Sequence, residues 1–240
     1  MNKNFTGIIT KYQAIRRPFS QLLKPVHWHT MPTHSCQDAS FMATSLPFSQ
    51  ACENNKAPIL ERLREIFDGP GKVLEVGTGT AQHAVHFADG MPHLQWQPTD
   101  RPDAVAICRP RLDQAALPNI LPVIELDVGT SPWPVESFTW AFSANTAHIM
   151  AWWEVEQMFG NIGARLATGG AFCLYGPFNN QDEFSSESNR QFDQHLRARA
   201  PHMGIRDLED LSRLGREVGL VLSAIFNMPA NNRLLVFRPV

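Results

Sequence analysis

From about residue 47 onward, apolar positions alternate between short continuous runs and stripes at helical spacing. Within NNKAPILERLREIF, residues Ile59, Leu60, Leu63, Ile66 and Phe67 share one helical face, and Gly69, Pro70 and Gly71 stop that helix. KVLEVG predicts a short buried strand, TAQHAVHFADGM a helix, and LQWQPTD a second strand ending at Asp100. PDAVAICRPRLDQ predicts the next helix, bent at Pro110, and ILPVIELDV a third strand ending near Asp127. FTWAFSANTAHI supplies a fourth strand and its outgoing loop, WWEVEQMFGNIGARL a helix, and GGAFCLYGPF a fifth strand preceded by a Gly-Gly turn. Two helical segments, SSESNRQFDQHLRARA and RDLEDLSRLGREVG, precede the strands LVLSAIFNMP and NRLLVFRPV, which a tight turn at ANN joins.

Strand–helix alternation in the early half implies parallel strands with right-handed crossovers. The short link between the last two strands implies an antiparallel pair. The expected fold class is α/β and Rossmann-like, a mostly parallel seven-stranded sheet with a C-terminal antiparallel β-hairpin. Residues 47–240 are expected to form this domain. Residues 1–46 are expected to be an N-terminal arm or leader: they carry basic residues and three histidines, with no clear period.

The chain has 240 residues, 43% of them hydrophobic, enough for one domain with a substantial core. A formal net charge of −2 argues against bulk nucleic-acid binding. The four cysteines, Cys36, Cys52, Cys108 and Cys173, form no CxxC pair, which argues against a disulfide framework or structural zinc. A reducing, cytoplasmic setting follows, and no apolar run approaches the roughly 18 residues of a membrane span.

The chemistry concentrates at VGTGT. Gly77 and Gly79 end the first strand, and in open α/β sheets ligands bind at that edge, near the point where strand order reverses. A dinucleotide fingerprint needs G-x-G-x-x-G, but Gln82 occupies the third glycine slot. The turn reads E-x-G-x-G-T, with Glu75 two residues before the first glycine. That pattern resembles the first motif of methyltransferases dependent on S-adenosylmethionine (SAM), which implies that Glu75, Gly77, Thr78, Gly79 and Thr80 surround the amino-acid end of SAM. His83 falls in the following first turn, near the cofactor. Asp100 suits both ribose hydroxyls; the same resemblance implies that Asp127 contacts the adenine amine, with the neighbouring Val128 against the purine face. An NAD-type oxidoreductase also uses an acid at the second strand's end and remains the less favoured enzyme reading.

Asn145 and His148 follow the fourth strand, and the resemblance to methyltransferases implies that residues there lie beside the transferred methyl. His148 is a candidate general base, and Asn145 is counted with both the cofactor and the catalytic groups. Tyr175 and Phe178 are candidates to shape an acceptor pocket, and SSESNRQFD a lid. Asn231 and Asn232 suit the hairpin turn. His83 and His86, three residues apart, have no matching ligand cluster, so no metal is expected.

The segments FSQACENNKAPIL, LEVGTGTAQHAVHFA, WQPTD, NTAHI, YGPFN, SSESNRQFD, GIRDLEDL and MPANN together resemble the methyltransferase-like family known as domain of unknown function 938, which includes animal methyltransferase-like protein 26. The resemblance spans roughly Phe48 to Val240. It implies the class I methyltransferase fold and SAM binding, with S-adenosylhomocysteine (SAH) as product, and it names no acceptor. It also implies that Asn54 and Lys56, in the opening phrase, face SAM or the acceptor. Cys52 and Ala147 depart from the family's usual pattern. The expected activity is methyl transfer to a small-molecule nucleophile. The alternative is a SAM-binding or interaction module without turnover.

Overall fold

The computed structural model describes residues 45–181 and 183–240, so the expectation of an arm over residues 1–44 lies outside the described residues. Helix α1 (Gln50–Ile66) starts where the Ser49 hydroxyl accepts the Cys52 N–H at 3.3 Å, a side-chain cap. It leads to β1 (Gly71–Val76), α2 (Gln82–Gly90), β2 (Leu94–Asp100), α3 (Val105–Ala115) and β3 (Ile124–Glu125). Then follow β4 (Phe138–Ala144), α4 (Trp152–Gly163), β5 (Leu166–Gly176) and the short β6 (Phe178–Asn179). The chain closes with α5 (Glu187–Arg199), β7 (Arg206–Asp207), α6 (Leu208–Glu217), β8 (Leu220–Met228) and β9 (Asn232–Pro239).

Seven strands form one sheet in the order β3-β2-β1-β4-β5-β9-β8. The first five are parallel, and β9 runs antiparallel between β5 and β8. The expected α/β architecture with its C-terminal hairpin is therefore present. One apolar layer packs Ile59, Leu63, Phe87, Trp96 and Phe142 among α1, α2 and one sheet face. The other packs Leu74, Phe159, Phe172, Leu211 and Phe237 with α4 and α6. Each such side chain, taken fully from water, contributes about 1.5–3 kcal/mol.

Two local expectations are corrected. The third strand was expected over ILPVIELDV, but only Ile124–Glu125 pairs as a strand. The segment does run beside β2, with Leu121 N–H donating to Trp96 O and Leu126 N–H to Asp100 O. Pro122, lacking an N–H, interrupts the ladder, and the Gln97 amide donates to the Pro122 carbonyl instead. The Gly-Gly pair does not precede β5 but lies inside it, at a register shift opposite Phe138 and Trp140. Gly169 has φ +82°, and a Cβ on Gly170 would lie 2.0 Å from the Thr139 carbonyl oxygen. The pair makes a bulge that lets β5 press on β4. The two-stranded pairing of β6 with β7 carried no signal in the sequence, because two residues show no periodicity.

Strand order reverses between β1 and β4, which lie side by side in parallel and so point their outgoing loops to the same edge. That edge carries the candidate site.

Candidate functional site

The glycine turn is built from beneath. Gly77 and Gly79 take φ of +78° and +59°, conformations that glycine adopts without steric penalty. The Gly77 and Thr78 N–H groups both donate to Thr99 O, at 3.0 and 2.9 Å. Glu75 is buried under the turn, where the Thr78 hydroxyl donates to its carboxylate at 2.8 Å and the Trp96 indole N–H at 3.0 Å. Burial pushes the Glu75 carboxyl up to about 7, against the pull of its two donors. Glu75 thus shapes the turn without presenting its side chain above it. A Cβ on Gly79 would meet nothing within 4 Å, so this residue borders open space.

Asp100, at the end of β2, closes the other side. Its carboxylate accepts the Gly79 N–H at 2.6 Å and the Arg101 N–H at 2.8 Å. Asp127 follows β3, accepts the Gly129 N–H at 2.9 Å, and remains partly accessible. Val128 packs downward into the apolar layer with Leu74 and Leu126. The half-exposed Trp153 indole lies over Gly129, where an added Cβ would fall 2.5 Å from the ring.

Gln82 proves to be a hub. Its side-chain oxygen accepts the Ser49 N–H at 2.6 Å and the Thr80 hydroxyl at 2.9 Å, while its amide donates to Glu53 at 3.1 Å. Arg111 adds a second tie, donating to Thr80 O and Pro47 O at 2.8 and 2.6 Å. Helix α1 is stapled to the glycine turn by these bonds. In the sequence Gln82 had registered only as a missing glycine.

Beside the turn, a cavity of about 460 Å³ opens among α1, the ends of β4 and β5, α5 and the hairpin. Asn54, Asn145, His148 and Tyr175 all line it, so the structure brings these four expected residues together. Asn145 has φ +58°, and its N–H donates to Tyr175 O at 2.9 Å, joining the β4 loop to β5. His148 is buried and meets the Phe192 ring edge to face, with centroids 5.2 Å apart. Burial first, and the Arg206 guanidinium second, hold the His148 imidazole down at about 4. Arg206 itself donates to the carbonyls of Ala147, Met150 and His202, bracing the loop that carries His148.

Tyr175 is buried, its phenol pushed above the usual range by burial, against the pull of the neighbouring Asn55 and Asn232 side chains. The Asn55 oxygen lies 2.6 Å from His83 Nε2. An amide oxygen only accepts, so the imidazole carries its proton on Nε2. Burial holds His83 at about 4, and its ring stacks on Phe87. His83 is therefore committed to Asn55 and Phe87 and not to open space at the turn.

Two expectations fall elsewhere. Lys56 pairs with Glu53 at 2.5 Å and lines a different cavity, of about 320 Å³, together with Gln82, His86 and Arg111. Phe178 is buried with Leu208 and Leu211, and Phe192 of α5 supplies the aromatic wall instead. The sequence had offered SSESNRQFD as a lid, and Phe192 is its apolar member. Asn55, likewise passed over, sat one place beyond Asn54 in the opening phrase.

Residues 46–239 match the model of the family described as "Protein of unknown function (DUF938)". The chain belongs to this family. Solved structures similar to this DUF938 protein are methyltransferases. An O-methyltransferase family protein from Burkholderia thailandensis superposes with TM-score 0.68 and 15% identity over 77% of this chain. An O-methyltransferase family 2 protein from Planctomyces limnophilus, in complex with apigenin, gives TM-score 0.69 and 14% identity over 79%. CalO1, a methyltransferase of calicheamicin biosynthesis in its SAH-bound form, gives TM-score 0.62 and 20% identity over 77%. The matched regions cover only 56%, 58% and 54% of those chains, so the DUF938 protein spans little more than half of each. These likenesses establish the class I methyltransferase fold.

Proposed function

We propose that this DUF938 domain binds SAM at the glycine turn and transfers its methyl group to a small-molecule nucleophile held in the cavity beside Asn145. The observation that carries the reading is the open face of the turn at Gly79. Asp100 borders it, Asp127 follows the adjacent strand, and Thr146, next to Asn145 of the cavity wall, packs against Gly77. The groups left open fit such a cofactor: the Thr80 N–H and the first N–H groups of α2 for the amino-acid end, the Asp100 carboxylate for the ribose diol, and Asp127, near Trp153 at Gly129, for the base. Glu75 and Thr78 act as the frame of the turn. SAM, when bound, supplies an electrophilic methyl on a cationic sulfur.

The chain's own contribution to the reaction is positioning. Asn145 and Tyr175 fix the shared wall between cofactor and acceptor, so that nucleophile and methyl meet in line. His148 is neutral at pH 7 and offers the acceptor a hydrogen bond. With its proton affinity depressed by burial and by Arg206, it is a weaker general base than the sequence suggested. The cytoplasmic setting belongs to the same reading; among the described residues no helix is long and apolar enough to cross a membrane.

Asp100→Ala tests the placement. The expected outcome is a loss of SAH affinity of about 100-fold by calorimetry, consistent with charge-assisted hydrogen bonds lost from one carboxylate, in a protein that stays folded with a stability loss of about 1–3 kcal/mol from the two N–H groups left without their acceptor. Undiminished affinity would move the cofactor away from the β1–β2 edge.

A further inference from the structure

The acceptor cavity has an unusual lining. Asparagine side chains arrive from separate segments: Asn54 and Asn55 on α1, Asn145 after β4, Asn189 on α5 and Asn232 at the hairpin. Their internal bonds fix what each leaves for a ligand. The Asn54 oxygen accepts from Gln50 at 2.8 Å, which leaves its N–H donors. The Asn189 amide donates to Ser185 Oγ and Asn231 O, at 2.8 and 3.1 Å, which leaves its oxygen as an acceptor. The Asn145 carboxamide has no hydrogen-bond partner among the described residues and offers both functions. The site therefore presents paired donors and acceptors on neutral groups.

Charge in the lining follows the same rule. Among the described residues the cavity is lined by no Asp, Glu, Lys or Arg. The Arg206 guanidinium, which acts on His148, spends its donors on the backbone carbonyls of Ala147, Met150 and His202. A carboxylate, phosphate or ammonium brought here would lose its hydration without a counter-charge, at several kcal/mol. The partly exposed Phe192 ring, the Tyr175 ring and Pro177 give apolar flanks that suit a flat ligand. A proton released by the acceptor would have to settle on His148, beside Arg206 and against the Phe192 edge, with no carboxylate in the lining to balance it.

We infer that the acceptor is an uncharged nitrogen heteroaromatic with an amide-like donor–acceptor edge, methylated on a ring nitrogen that has no proton to lose. The ring-nitrogen lone pair forms the new N–CH3 bond as the S–CH3 bond breaks. The sulfonium charge passes to the methylated ring, where it is spread over the ring atoms rather than held on a compact, strongly hydrated ammonium; the bonding pair stays on sulfur, and no base is consumed. The asparagines read the edge of the ring system, and Phe192 covers its face. This inference rests on the SAM reading above.

The test uses the full chain and begins with an SAH titration. No binding of SAH would remove the proposed function itself. On SAH-loaded protein, matched probes are then titrated by saturation-transfer NMR: nicotinamide, nicotinic acid and 3-hydroxybenzamide, with the corresponding quinoline carboxamide, quinoline carboxylic acid and hydroxynaphthamide. The expected result is that a carboxamide of the nitrogen heterocycles binds at least 10-fold more tightly than its carboxylate twin, and is methylated in the presence of SAM while the hydroxyl twin is not. Asn54→Asp replaces a donor with an anion in the first turns of α1, where a negative charge suits the helix N-terminus. It is expected to invert the preference between nicotinamide and the ammonium probe 3-(aminomethyl)pyridine by 10-fold or more. With SAH bound, equal or tighter binding of the carboxylates, no detectable carboxamide binding, or methylation of the hydroxyl twins alone would each overturn the inference and leave the cofactor site standing.

Discussion

The two halves of the site are built on opposite principles. At the glycine turn, nearly every polar group is satisfied from within: Glu75 by Thr78 and Trp96, the Gly77 and Thr78 N–H groups by Thr99, Asp100 by Gly79 and Arg101. The cavity beside Asn145 instead leaves amide functions open and an aromatic ring partly exposed. The first half is a rigid backbone mould set by the ends of two neighbouring strands, β1 and β2. The second is assembled from five separate stretches and takes its selectivity from side chains. A mould of backbone recognises a constant ligand; a wall of side chains is where one acceptor is distinguished from another.

The largest expected effect strikes the mould. A Cβ at Gly77 would lie 2.7 Å from Thr146 Cγ2 at a φ of +78°. Gly77→Ala is expected to destabilise the fold by about 2–3 kcal/mol, combining left-handed strain with overpacking, and to abolish SAH binding. Trimming the partner in Gly77→Ala/Thr146→Ser should recover a measurable part of that loss in chemical denaturation; strict additivity would show that the contact is not the cause. Gly79→Arg separates binding from folding. Its Cβ meets open space, so the protein should stay folded with a loss of about 1 kcal/mol while SAH binding disappears. Retained SAH affinity in this variant would show that the open face is not the cofactor side.

Next comes the buried carboxyl. Glu75 sits near 7 in the folded protein, above its ordinary 4.5. Between those values the unfolded chain has already released the proton and the folded chain has not, so this group lowers stability as pH rises through that window. The full penalty, roughly 3 kcal/mol from a shift of this size, applies above pH 7. Glu75→Gln keeps an oxygen for Thr78 and Trp96. It should therefore be more stable than the parent by about 1–3 kcal/mol at pH 8, with the advantage gone near pH 4.5. His83 and His148, held near 4, act in the opposite sense: their stabilisation is present above about 6.5 and lost as pH falls toward 4. A Glu75→Gln advantage independent of pH would contradict the assignment.

The smallest effect belongs to the staple between the two halves. Gln82→Ala removes the acceptor of the Ser49 N–H and the Thr80 hydroxyl and the donor to Glu53. A loss of about 1–2 kcal/mol in stability is expected, with SAH affinity reduced only several-fold. An affinity loss as large as that of Gly79→Arg would make Gln82 part of the mould itself.

How much of this the sequence disclosed follows the same division. The mould was legible because its parts are local: strand, glycines and helix lie within Lys72–Ala88, and the acids end neighbouring strands. The strand and helix periods likewise exposed the parallel sheet and the hairpin. Features that depend on interruption were not legible. Pro122 breaks the third strand, and the Gly169–Gly170 bulge sits inside β5, because both respond to a neighbouring strand that sequence spacing does not reveal. The cavity was half legible. Asn145, His148 and Tyr175 follow strands whose ends were predictable, whereas Phe192 and Asn189 reach the site only through the packing of α5. Lys56 was carried with its neighbour Asn54, but helical geometry turns the two toward different cavities.

The most direct test of the central claim is calorimetric titration of the full chain, stripped of endogenous ligand, with SAM, SAH and NAD. The account predicts micromolar binding of SAM and SAH and none of NAD. Binding of NAD, or of neither sulfur ligand, would contradict it.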